Sequence, residues 1–164
     1  MNSAEYSQLV LEARDYLFGK IREQLPAECE MEKRFIQSGV VSINEWAASL
    51  VNKETDKVRI FVMTLSNLTS ADLPRTAGAK NFKPEVKILF ELFHDHLQGT
   101  DAENSQKEFE SDALCLQFAI ESNRSLPPKG NIENYTFSLG ILPSSRSLHY
   151  ARGEMTINFR EIRH

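Results

Sequence analysis

The stretch from Phe82 to Asn123 constrains this chain more than any other. Its first part, Phe82-Lys83-Pro84-Glu85-Val86-Lys87-Ile88-Leu89-Phe90-Glu91-Leu92-Phe93-His94-Asp95-His96-Leu97, has the period of a strand. Val86, Ile88, Phe90 and Leu92 fall on one face; Lys87, Leu89, Glu91 and Phe93 fall on the other. One dry face and one mixed face suit an antiparallel sheet covered by helix on one side. Pro84 precedes the alternation, where its missing N–H removes no central ladder bond. Gly99 and Asp101 supply turn chemistry. Ser105 and Glu108 then have the spacing of a capping box, in which each side chain satisfies the other's orphan backbone donor. Phe109, Ala113, Leu116 and Ile120 follow at helical steps. Leu114 and Phe118 widen that stripe, enough for the helix to touch two neighbours. Leu126-Pro127-Pro128 cannot continue a helix, so it ends near Asn123.

The remaining segments fit around this unit. Ser3 is placed to cap a first helix, and Tyr6, Val10, Ala13, Leu17 and Ile21 repeat at helical spacing, broadened by Leu9 and Tyr16. Leu25-Pro26 closes it, because a residue before proline avoids the α region. Residues 27–33 are polar and acidic and read as a loop. Gly39-Val40-Val41-Ser42-Ile43 reads as strand. Residues 45–50 also fit a helical turn; we read them as extended through Val51, because a hairpin then follows across the turn cluster 52–56. Lys57 to Leu65 is strand, dense in β-branched and aromatic residues. Ser66–Lys83 reads as a long polar loop, of the length at which loops usually carry function or move, and as a candidate contact arm. Residues 125–134 form a Pro/Gly/Asn loop, residues 135–142 a strand, and Leu148–Ile162 a last long strand in which Gly153 marks a bulge. The class is α+β: one domain over residues 1–164, with an antiparallel or mixed sheet of about four to five strands packed against two helices.

Composition bounds the function. The chain has 164 residues, enough for one core burying roughly 70% of the unfolded surface. The formal net charge of −4 argues against a bare nucleic-acid binder, which is usually basic. No run approaches the roughly 18 apolar residues of a membrane helix. The first residues include Glu5, Glu12 and Asp15 and lack the apolar centre of a signal peptide, so a soluble protein made in the cytoplasm is expected. Cys29 and Cys115 belong to no metal-binding pattern and read as free thiols.

No catalytic motif stands out, so an enzyme is not expected. The sequence has no nucleophile elbow, no P-loop and no dinucleotide fingerprint. His94-Asp95-His96 would place two imidazoles on one strand face, but a metal site needs a third ligand and hydrogen-bonding support around the ligands; Asp101 or Glu103 would lie near, whereas nothing in the sequence places His149 or His164 there. The segment reads better as the polar tip of a strand leaving the core, with no metal and no cofactor. Arg146, His149, Tyr150 and Arg152 form a basic-aromatic group, but alternate strand residues face opposite ways, which suits a solvated edge or protein contact better than RNA. Arg75 and Lys80 in the long loop, with Arg146, Tyr150 and Arg152, are the candidate interface residues.

The layout resembles phage tail-terminator proteins. The likeness rests on the N-terminal helix feeding a hairpin over Val40–Leu65 and on the strand-to-helix passage Val86–Ile120 through Gly99-Thr100-Asp101-Ala102-Glu103-Asn104-Ser105. It rests also on the closing strand His149-Tyr150-Ala151-Arg152-Gly153-Glu154-Met155-Thr156-Ile157-Asn158-Phe159. The resemblance implies a non-catalytic structural protein of the virion tail or neck, assembled in the host cytoplasm. Such a protein forms a ring with itself, typically a hexamer, through a heterologous interface. The ring caps the tail tube and contacts tube protein, with sheath and head–tail connector proteins as further partners. DNA passes through it only as cargo, which an acidic lumen would repel. The alternative is a small cytoplasmic interaction protein, immunity- or antitoxin-like, that binds one basic partner.

Overall fold

The chain enters its fold through α1 (Ser3–Gln24). Its N-cap is Asn2 rather than the expected Ser3, because Glu5 stands three residues after Asn2 and closes a capping box. The Glu5 N–H donates to Asn2 Oδ1 at 2.9 Å, and the Asn2 N–H donates to Glu5 Oε2 at 2.7 Å. The stripe Leu9, Ala13, Leu17 and Ile21 is buried. Leu25 is already extended, as a residue before proline must be. The Arg22 guanidinium then donates to the carbonyls of Pro26 and Cys29 at 2.7 and 2.6 Å and pins the turn out of the helix.

The structure, a computed structural model, describes residues 2–35, 59–71, 81–95, 102–142, 148–159 and 162–163. After α1 come β1 (Glu30–Phe35), β2 (Arg59–Ala71), β3 (Asn81–Asp95), α2 (Ala102–Ser122), β4 (Ser125–Leu126), β5 (Gly130–Leu142), β6 (Leu148–Phe159) and β7 (Ile162–Arg163). The strands are ordered β1-β2-β3-β6-β5-β4, and β7 pairs with the start of β3. Every pairing is antiparallel except β1 with β2. Two helices lie against one curled sheet that approaches a half-barrel, so the α+β class is as expected.

The core lies between the helices and one face of the sheet. Phe61 and Met63 on β2, Val86, Ile88, Phe90 and Leu92 on β3, and Met155, Ile157 and Phe159 on β6 are buried there with the stripes of both helices. These positions follow the strand period. The other face of the sheet is also dry at one end, where Ile60, Val62, Phe93 and Leu148 are buried.

Several expectations are corrected. β1 begins at Glu30, inside the segment read as a loop; its polar composition hid a strand that pairs in parallel with β2 from Glu30↔Ile60 to Phe35↔Leu65. The described parts of the long loop 66–83, residues 66–71 and 81–83, are strand. β2 continues to Ala71 and pairs down to Ala71↔Lys83, passing a bulge between Leu65 and Asn67. Ser66 sits at that bulge and its hydroxyl donates to the Lys87 carbonyl at 3.0 Å, so a polar side chain serves the ladder. The connection 72–80 lies outside the described residues, as do the expected strand at 39–43, the ambiguous segment 45–51 and the turn 52–56.

Helix α2 starts three residues before the expected cap. Ser105 is therefore inside the helix, and its hydroxyl donates to the Asp95 carbonyl at 2.6 Å, tying the helix to the end of β3. Leu114 and Phe118 do not extend the buried face; both are exposed. The 125–134 loop contains β4 and the start of β5. Gly153 is no bulge: the register runs through it, and the irregularity lies between Ile132 and Asn134. An added Cβ at Gly153 would collide with the Thr136 carbonyl oxygen and Phe137 Cβ and stand 2.6 Å from Phe90 Cζ. The glycine is there so that Phe90 and Phe137, its two cross-strand partners, meet edge-on with ring centroids 5.7 Å apart.

Candidate functional site

The end of the sheet near His94 and His149 holds a buried polar network under the first half of α2. Arg59 opens β2 beside His94, and His94 lies beside His149, so three strands bring these residues into one row. The Arg59 guanidinium grips Asp112 with two bonds of 2.8 Å and donates a third, of 2.6 Å, to Glu108. His94 Nε2 lies 2.8 Å from Asp112 Oδ2. That approach is off the line of a directed hydrogen bond, leaving Nε2 buried and held by proximity to the carboxylate. Phe109 stacks on His149 at 5.0 Å and meets His94 edge-on at 5.4 Å. Burial alone would push the Asp112 carboxyl up; the His94 and Arg59 contacts outweigh it and hold it below its ordinary value. The bond to Asp112 likewise raises Arg59, against burial.

This network was missed at the sequence level. The signal available was Asp112 itself, one charged residue in the stripe Phe109–Ala113–Leu116. Its chemistry is structural: a guanidinium and an imidazole from the sheet meet one carboxylate from the helix. Of the His94-Asp95-His96 cluster, His94 faces the helices, Asp95 is on the alternate side of β3, and His96 lies outside the described residues. Among the described residues no three His, Cys, Asp or Glu side chains are grouped to hold a metal ion. Cys29 is buried, Cys115 half-buried, and both are free thiols.

The interface residues separate. Arg75, Lys80 and Arg146 lie outside the described residues. Tyr150 and Arg152 are half-buried on the sheet face away from the helices. The Tyr150 ring lies over Gly140, its cross-strand partner, where an added Cβ would be 2.8 Å from the hydroxyl. Arg152 Nε lies 3.7 Å from Glu91 Oε1. His149 points the other way, so the basic-aromatic group is split by the strand alternation.

No family model matches this chain, and a search of the curated proteins finds no relative. Two surfaces of the sheet stand out. The β2–β3 hairpin outruns its described neighbour on the β2 side: β1 pairs with β2 only as far as Phe35↔Leu65, whereas β2 continues along β3 to Ala71↔Lys83. Leu68 on this extension is 58% exposed. The second surface is β5, on the far side of β6 from the hairpin. It pairs with β6 along its length, and among the described residues only β4 lies on its other side, at Gly130 and Asn131. Leu139 and Ile141 are about half exposed there, at 49% and 51%.

Proposed function

We propose that this chain is a ring-forming structural protein of the tail-terminator kind, which caps a tail tube and joins it to the head or neck. The observation that carries the reading is the β2–β3 hairpin, in which β2 runs on past its pairing with β1 and bears an exposed leucine, Leu68, on that stretch. An exposed leucine beside a strand edge gains burial from a neighbour. The hairpin's connecting residues 72–80 contain Arg75, and Lys80 precedes β3, so the arm joins positive charge to a chain whose net charge is −4. An arm reaching from one copy to a different surface on the next is a heterologous contact, which closes into a ring when the rotation permits. The partners are further copies of itself, tail-tube protein, and sheath or connector proteins, with DNA as passing cargo.

The test is the mass of the purified protein, alone and mixed with tail-tube protein from the same genome, by light scattering with negative-stain imaging. Rings of tube width, or caps at tube ends, are expected. A chain that stays apart from tubes and forms no ring overturns the reading and favours an immunity-like protein with a single basic partner.

A further inference from the structure

We infer that the outer edge of β5 is a pairing site for β5 of a second copy, antiparallel across a two-fold axis near Ser138. β5 is long and exposed on both faces over residues 134–141, where only Tyr135, Phe137 and Gly140 are even half-buried. Natural edge strands are normally blunted by lysine, proline, inward charge or a bulge. Asn134-Tyr135-Thr136-Phe137-Ser138-Leu139-Gly140-Ile141-Leu142 has none of these, in a chain of which 26% is charged. The one irregularity, between Ile132 and Asn134, lies before this segment and leaves its ladder regular. Among the described residues nothing pairs with this edge beyond Asn131, and an uncharged, unbroken edge is a template for another strand.

The segment is complementary to itself, and that identifies the occupant. Tyr135, Phe137, Leu139 and Ile141 share one face of the sheet; Thr136, Ser138 and Gly140 share the other. The antiparallel register that overlays the whole uncharged segment on its copy is centred on Ser138. It sets Leu139 opposite Phe137 and Ile141 opposite Tyr135 of the second copy. Aromatic–aliphatic cross-strand pairs of this kind are among the favourable ones, and no like charges meet. The two half-exposed aliphatic side chains are thereby covered by aromatic rings that are themselves half-exposed. The pairing is isologous, needs no other surface of the molecule, and does not rest on the ring.

The test uses the full chain with Cys115→Ser, which removes the accessible thiol. With Ser138→Cys added, the two thiols face each other at about 4.5–5.5 Å between Cα atoms, within reach of a disulfide. Mild oxidation is expected to give a covalent dimer. With Asn134→Cys instead, the two thiols stand roughly 27 Å apart and no dimer should form. Separately, Leu139→Lys should weaken association about tenfold or more in a light-scattering dilution series. Its thermal midpoint should match the parent at low concentration, since the site is half exposed. The inference is overturned if the Ser138→Cys variant fails to cross-link, if the Asn134→Cys variant cross-links as readily, or if Leu139→Lys leaves association unchanged. Rings that persist unchanged in Leu139→Lys would reject this contact while leaving the ring intact.

Discussion

Asp112 is shared between a guanidinium and an imidazole on a helix face whose only other buried polar side chain is Ser105. Removing it leaves Arg59 with Glu108 as its remaining carboxylate and His94 with none among the described residues, and losing one member of a buried pair typically costs up to about 3–5 kcal/mol. Asp112→Ala should therefore lower the urea midpoint strongly. The pH dependence has a definite sign. The native Asp112 pKa is depressed, so its contribution is fully present above the unfolded value, near pH 4, and is lost as pH falls through the native value. Stability measured from pH 6 to pH 2 should drop at the acid end, and Asp112→Asn should flatten that part of the curve. Glu121 offers a second titration. It accepts from Arg124 and from the Tyr135 hydroxyl, and these bonds bring its carboxyl down to about 2. Tyr135→Phe should move it upward, and Arg124→Ala further, in an NMR titration. At Gly153 the prediction is steric: alanine would force Phe90 and the β5 backbone apart, at a cost of about 1–3 kcal/mol or more.

At the scale of elements, α1 depends on its box. Asn2→Ala removes the acceptor for the Glu5 N–H and should cost about 1 kcal/mol, read as a small fall in the thermal midpoint. The hairpin behaves differently. Leu68 is exposed within the monomer, so Leu68→Ser should leave the stability within about 1 kcal/mol of the parent while reducing assembly on tubes. A matching loss of stability and assembly would assign Leu68 to the chain's own fold instead. The hairpin was visible only in part: Lys57–Leu65 announces itself by β-branched density, whereas Ser66-Asn67-Leu68-Thr69-Ser70-Ala71 is polar and small. That segment is held as strand by its ladder partners on β3.

For the molecule as a whole, the sheet is assembled from distant parts of the chain. β1 pairs with β2 some thirty residues on, and β3 pairs with β6 across α2, β4 and β5, from Glu85↔Asn158 to Asp95↔Leu148. Such non-local contacts require loop closure before they stabilise anything, so refolding should fall in the millisecond-to-second range typical of high contact order rather than in microseconds. Stopped-flow refolding measures this directly.

The sequence alone determined both helices, the long central strand and much of the inward stripe of each, though not the exposure of Leu114 and Phe118. What it determined rests on period, and period is local physics. Val86, Ile88, Phe90 and Leu92, and Leu9, Ala13, Leu17 and Ile21, sit where their spacing put them. Asn2 displaced Ser3 as cap, and Ser105 moved inside α2, because several residues near a helix start have the right chemistry and packing chooses among them. Only the tertiary structure decided that Glu30–Phe35 is a strand and that Gly153 is a place for two rings to meet. It alone brought Arg59, His94, His149 and Asp112 together. Each of those depends on a partner distant in the chain, and no local pattern records who that partner is.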